Sequence, residues 1–290
     1  MYTPTFDYYR PKTLDAAIAL LSKNKDAKVL AGGHSLLPAM KLRVSQPGAL
    51  VDISRVKGLS GIKVGKKEVT IGALTTHAAV ASSKELAKAC PILPETAAMI
   101  GDTQVRNRGT IGGSLAHADP AADYPTVITA LRATITVTGK KGEREIPADK
   151  FFKDLFTTAL KSDEIVTSIS VYAYGSAGNI GGCYLKHRHP ASSYAVVGVA
   201  AIVEVKGGQV SGVDLVVGGA TPNPVRCTAA EAALMGAAPT EDAIAAAAAK
   251  VAGALENPMG DLYASADYRA HLATVMAKRA LMTAVARAKA

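Results

Sequence analysis

Two glycine pairs are the part of this 290-residue chain whose residue types and spacing could do chemistry. The first lies in Leu30-Ala31-Gly32-Gly33-His34-Ser35-Leu36-Leu37, the second in Thr110-Ile111-Gly112-Gly113-Ser114-Leu115-Ala116. Lacking a Cβ, glycine lets a loop bring its backbone N–H groups against an anion. Two such loops converging in space could hold both halves of a pyrophosphate, which points to a dinucleotide. Ser35 and Ser114 add hydroxyls for phosphate or sugar oxygens. His34 either points at the pyrophosphate or makes a local loop hydrogen bond. Gly-Gly pairs also occur in ordinary turns. Neither G-x-G-x-x-G nor G-x-x-x-x-G-K-[ST] is present, so a dinucleotide has to be held in another way.

Few other side chains suggest a reaction. Asp119 and Asp123 stand four apart, the spacing that sets two carboxylates on one helical face. They read as a general acid/base pair or, on spacing alone, as helix capping at Asp123-Tyr124. Lys186 by itself is a strand lysine in solvent. His187 and His189 lack a third ligand at useful spacing and flank an arginine, so they read as surface or subunit interface and no metal site is expected. Cys90, Cys183 and Cys227 form no C-x-x-C and cannot supply the thiolates of an iron–sulfur cluster; buried inert thiols are expected. No Ser-His-Asp arrangement or H-E-x-x-H is found, and no catalytic residue is assigned.

Several motifs in order along the chain carry a resemblance. They are Phe6-Asp7-Tyr8-Tyr9-Arg10-Pro11, Ala31 to Ser35, Arg106-Asn107-Arg108-Gly109 running into Thr110-Ile111-Gly112-Gly113, Asp119-Pro120-Ala121-Ala122-Asp123, and Tyr268-Arg269 before a basic last helix. Together they resemble the FAD-binding medium subunit of the molybdenum hydroxylases, the xanthine dehydrogenase and aerobic carbon monoxide dehydrogenase family, and most closely its carbon monoxide dehydrogenase type. The resemblance implies an α+β fold. A two-lobed FAD-binding domain of the vanillyl-alcohol-oxidase type would be followed by a smaller α+β domain closing over the cofactor.

It also implies that FAD is touched by Leu30, Ala31, Gly32, Gly33, His34, Ser35, Leu36 and Leu37 in the first loop. Thr110, Ile111, Gly112, Gly113 and Ser114 would touch it from the second, with Ser114 departing from the asparagine of many relatives. Asp123 would hydrogen-bond the cofactor, Lys186 would contact it, and Tyr194 would lie near the flavin ring. Ile100 and Val166, core residues on their own reading, would pack on it. The implied role is an oxidoreductase's electron-transfer subunit. A small [2Fe–2S] subunit would deliver electrons from a large subunit carrying the molybdenum cofactor, and the usual assembly would be a dimer of heterotrimers. A stand-alone FAD oxidoreductase of the same fold and a non-catalytic scaffold are the alternatives.

The elements that must position these residues follow from local pattern. Thr13 starts a helix over Leu14–Leu21, and Lys28–Leu30, Leu50–Ile53 and Val69–Ala73 read as strands. Helices are expected over Pro91–Ile100, with Gly101 as the stop, and over Tyr124–Ala133. Thr134–Thr138 and Glu164–Val171 alternate as half-buried strands. The small-residue break Tyr174–Asn179 sets the expected domains at 1–178 and 179–290. Beyond it, Tyr194–Val205 and Val210–Val217 read as paired strands, Thr240–Leu255 as an alanine-rich helix, and Tyr268–Lys289 as the last helix.

Composition narrows the class. Hydrophobic residues make up 49%, so the chain is globular and long enough for a sizeable core. The net charge of +9 could steer nucleic acid, anionic lipid or an acidic partner, but with no tryptophan and only 5% aromatic residues there is little to stack on bases, and no nucleic-acid role is expected. Met1–Asp7 contains no signal core and no stretch is long and apolar enough to span a bilayer, so a cytoplasmic chain is expected.

Overall fold

The computed structural model describes residues 2–288; Met1, Lys289 and Ala290 lie outside the described residues. Three sheets carry the architecture, and each has its own reason for forming. The first is parallel, with Ala49–Asp52 between Asp7–Tyr9 and Ala27–Leu30. Parallel neighbours need crossovers, and the helix Leu14–Lys23 supplies one. Thr13 caps that helix by accepting the Ala16 N–H, and Ala17, Ile18 and Leu21 give it a buried face. This small lobe has its own apolar cluster, including Val51, Ile53, Val56 and Leu59.

The second sheet is wholly antiparallel. Its order is Ile62–Val64, Glu68–Gly72, Ile165–Tyr172, Thr134–Gly139 and Gly142–Pro147. Alternation in Thr134–Thr138 puts Ile135 and Val137 into the core, where they meet Val69, Ile71, Ile169 and Val171. Helices Ile92–Ala98, Ile111–His117 and Asp123–Ala130 add to the same core.

The third sheet is an antiparallel meander of Ile180–Arg188, Ala195–Lys206, Gln209–Gly218 and Val225–Arg226. Its long second strand is buried for most of its length because both faces are covered. Ala200 and Ile202 face the core of the second lobe, whereas Val197, Val199, Ala201 and Val203 face the 23-residue helix Ala266–Ala288. Asp123–Ala130 is caught between the second and third sheets, and all eight of its residues are buried.

Three helices are shorter than expected, and the one read over Pro91–Ile100 forms over Ile92–Ala98 with Met99 as its cap, ahead of left-handed Gly101. Asp123–Ala130 stops before Ala133 because Arg132 turns left-handed (φ 50°) and the Ala133 N–H bonds back to the Ile128 carbonyl. The alanine-rich segment is helical over Glu241–Ala248 and then tightens through Lys250-to-Ala247 and Val251-to-Ala248 bonds into a 3-10 turn at Ala252–Ala254. The break between the expected domains falls in the turn separating Ile165–Tyr172 from Ile180–Arg188.

Candidate functional site

The first glycine loop leaves the parallel sheet at Leu30 and enters the short helix Leu36–Lys41. Gly33 has φ 77°, a conformation that side chains rarely adopt. Among the described residues, no acceptor takes the N–H groups of Gly32, Gly33, His34 or Ser35. Four neighbouring N–H groups unclaimed by the chain form a donor set suited to an anion. His34 is exposed, and its Nδ1 lies 3.2 Å from the Gly32 carbonyl, so the local loop bond is the one formed.

The second loop is built differently. Thr76 and Thr110 form a β-bridge, and the Ile111 and Gly112 N–H groups go to the Thr75 and Ala73 carbonyls. Thr110 Oγ1 accepts the Gly113 N–H at 3.2 Å as the cap of Ile111–His117. These donors are therefore already satisfied inside the chain. Gly112 is required by packing, because a Cβ there would stand 2.5 Å from Ala73 Cβ. The expectation that both glycine pairs offer bare N–H groups holds for the first loop only.

The two loops nevertheless converge. A Cβ on Gly32 would collide with the Arg108 carbonyl, and one on Gly113 would lie 3.7 Å from Ala31 Cβ. Ser114, next in the chain after Gly113, is half-buried. A third segment comes near, because the Tyr194 phenol feels both Ser35 and Asp119. Burial, then the Asp119 carboxylate, push that phenol's pKa up.

Asp119 and Asp123 do not share a helical face. Ala118 is left-handed (φ 50°) and ends the preceding helix, and Asp119 accepts the Ala121 N–H in a local turn. Asp123 is the first residue of the next helix, whose cap is Ala122, so it does not cap it either. Its buried carboxylate accepts from Tyr184 Oη at 2.6 Å and from Lys186 Nζ at 3.0 Å, and its other oxygen forms an ion pair with the same ammonium at 2.9 Å. The Lys186 side chain is 2% exposed, which corrects its reading as a solvent lysine. Burial raises the Asp123 pKa and lowers that of Lys186, and their mutual attraction opposes both shifts.

Val166 is buried in the second lobe's core and Ile100 packs half-buried against it, so both are placed as core residues. Leu30, Leu36 and Leu37 are half-buried around the first loop. His187 and His189 pack on Tyr268 and Tyr263, and among the described residues no group of three or more potential ligands could hold a metal. The three cysteines are free and buried. No helix among the described residues is long and apolar enough to cross a membrane.

His77 was not legible as part of this arrangement. Its N–H donates to the Gly109 carbonyl at 2.9 Å, and a Cβ on Gly109 would meet its Nε2 at 2.6 Å. The imidazole thus lies against the Gly109 backbone that leads into the second loop. Only the Thr-His helix start hinted at it.

A parallel lobe, an antiparallel lobe and a covering meander, with two glycine loops meeting between the lobes, define a two-domain flavin-binding fold. Residues 4–171 match the family model described as the FAD binding domain in molybdopterin dehydrogenase, and residues 183–284 match the CO dehydrogenase flavoprotein C-terminal domain. The chain belongs to the family of FAD-binding medium subunits of the molybdenum hydroxylases, which are oxidoreductases. It is 40% identical to the carbon monoxide dehydrogenase medium chain of Hydrogenophaga pseudoflava over 99% of both chains. It is 38% identical to subunit alpha of the 6-hydroxypseudooxynicotine dehydrogenase complex of Paenarthrobacter nicotinovorans, over 100% of this chain and 97% of that one. A solved structure of carbon monoxide dehydrogenase from Hydrogenophaga pseudoflava, lacking the Mo-pyranopterin moiety, superposes with a TM-score of 0.95 over 99% of both chains, at 42% identity.

Proposed function

We propose that this chain is the FAD-carrying electron-transfer subunit of a multi-subunit molybdenum hydroxylase. It would receive electrons from the [2Fe–2S] clusters of a small partner subunit and pass them to an external acceptor, while a large subunit oxidises the substrate at a molybdenum cofactor. The observation that carries the reading is the run of unclaimed N–H donors from Gly32 to Ser35, facing a second loop pressed against it. That donor set fits a pyrophosphate. When bound, FAD supplies the exchange between single-electron and two-electron transfer.

The chain's own residues bind and orient. Gly32, Gly33, His34 and Ser35 would hold phosphate oxygens by backbone donors, with Thr110 to Ser114 closing the other side and the Ser114 hydroxyl as that loop's free donor. Leu30, Leu36 and Leu37 would exclude water beside the anion. Tyr194 is exposed, which suits a flavin neighbour. With no cluster thiolates of its own, the chain depends on a partner for electrons, and a dimer of heterotrimers in the cytoplasm is the proposed setting.

Purification of the native complex through a tag on this chain tests the reading. Flavin absorbance with iron–sulfur bands and two co-eluting chains is expected. An assembled complex without flavin would overturn the proposal in favour of a scaffold. Flavin on a chain without partners, reduced directly by an organic substrate, would replace it with a stand-alone oxidoreductase.

A further inference from the structure

We infer that Lys41-Leu42-Arg43-Val44 is a docking turn for the small cluster-bearing subunit, and that the surface it fits is acidic around an apolar socket. All four residues are exposed in succession, Leu42 at 64% and Val44 at 80%. Cationic and apolar side chains alternate along them. A single apolar residue on a surface needs no explanation, but two interleaved with two cations have the composition of an interface. The turn is also rigid. It closes the six-residue helix Leu36–Lys41, which is rooted by buried Met40. Its N–H groups bond back into that helix, Leu42 to the Pro38 carbonyl, Arg43 to that of Met40, and Val44 and Ser45 to that of Ala39. Gln46 Nε2 donates to the Arg43 carbonyl at 3.3 Å.

Lys41 is explained by the helix itself, whose C-terminal end favours a cation. Arg43 is not. It follows the cap Leu42 with φ 63°, at the position where glycine is the unstrained choice. Among the described residues, neither Lys41 nor Arg43 forms an ion pair. A cation that costs backbone strain and pairs with nothing in its own chain is held for something outside it. Two free cations on a chain of net charge +9 favour an acidic partner. A bilayer reads charge and apolar area without regard to backbone shape, so it gives no return for the strained arginine. A preformed protein socket does, because a rigid turn loses little freedom on docking. Place decides which subunit. The helix carrying the turn starts at the residue after Ser35, so the turn lies about 9 Å along it from the unclaimed donors. Under the proposed function, on which the partner's identity rests, the small subunit has to come close to the cofactor that those donors hold.

Purification of the complex through a tag on this chain, followed by gel filtration, tests the turn. Arg43→Gly is the discriminating variant, because it removes the guanidinium and relieves the strain together. The full chain carrying it should unfold at a higher urea concentration than the wild type, yet bind the small subunit about tenfold more weakly. Leu42→Ser with Val44→Ser should lose the small subunit on the column. FAD uptake by the separate full chain should be unchanged in both variants. Small-subunit content equal to wild type in both would overturn the docking turn. Reduced FAD uptake would overturn it too, since the lost partner would then trace to a damaged cofactor loop. So would loss of the large subunit alone, or variants that differ from wild type only in sedimenting with phosphatidylglycerol vesicles. A wild-type chain that carries flavin but no cluster-bearing partner would fail the functional proposal and the turn with it. A complete wild-type complex with unaffected variants would fail the turn alone.

Discussion

Gly32 lies so close to Arg108 that a single added methyl would strike the Arg108 carbonyl and approach Gly109 Cα to 2.8 Å. Residues 76 positions apart in sequence are thus in backbone contact, and the two glycine loops behave as one unit. Gly32→Ala has to push the loops apart, since both sides of the clash are backbone. The expected outcome is a folded chain that no longer retains FAD, checked by flavin content after gel filtration beside the melting curve. Full flavin content would show that the loop contact is irrelevant to binding.

The second glycine pair should divide by role. Gly112→Ala places a Cβ 2.5 Å from Ala73 Cβ and 2.8 Å from its carbonyl, an overpacking that costs about 1–3 kcal/mol of stability. Gly113 faces Thr110 Oγ1 and, more loosely, Ala31. Gly113→Val should therefore abolish FAD retention with a smaller loss of stability than Gly112→Ala. Denaturant midpoints and flavin content of the two variants decide this, and normal FAD content in Gly113→Val would sink the assignment.

Arg269 is the main polar anchor of the C-terminal sheet. Only 7% exposed, it donates to the Val196 and Gly219 carbonyls at 2.7 and 2.8 Å and pairs with Asp261. Arg269→Leu would leave two buried carbonyls without donors, at a cost of roughly 2–5 kcal/mol. Asp261 has a side chain 53% exposed, so Asp261→Asn should cost under about 1 kcal/mol. Urea midpoints that fell equally in both variants would show that the ion pair, and not the carbonyl bonds, is what matters.

The sequence made the scaffold readable where local pattern decides structure. The Thr13 cap, the alternation of Thr134–Thr138 and the valine-rich pair after Tyr194 all appear close to their expected bounds. Spacing misled where it assumed an unbroken helix. The four-residue step from Asp119 to Asp123 crosses a turn that begins at left-handed Ala118, so the shared face does not exist. Composition also gave no sign that Gly112 answers to Ala73, just past the end of a strand and 39 positions earlier, or that Lys186 is buried. Both facts are tertiary, fixed by which strands become neighbours. The family resemblance drew attention to Lys186 and Asp123, and only the three-dimensional arrangement shows that they bind each other.

His77 offers a pH test of the packing beneath the second loop. Burial lowers its pKa from 6.5 to about 4, with the charges of His34 and Arg106 adding to the effect. The imidazole is therefore neutral at pH 7, packed on Tyr124 with ring centroids 5.4 Å apart. Between pH 6.5 and 4 the unfolded chain binds a proton here that the folded chain refuses. The associated stability is complete above pH 6.5 and is lost as pH falls towards 4, up to about 3 kcal/mol. His117, half-buried and shifted in the same direction by burial, adds a contribution of the same sign below pH 6.5. His77→Phe keeps a ring against Tyr124 but removes the titration. Its unfolding free energy should fall less steeply between pH 6.5 and 4 than that of the wild type. Parallel pH profiles for the two proteins would mean that His77 is protonated as easily in the folded chain as in the unfolded one.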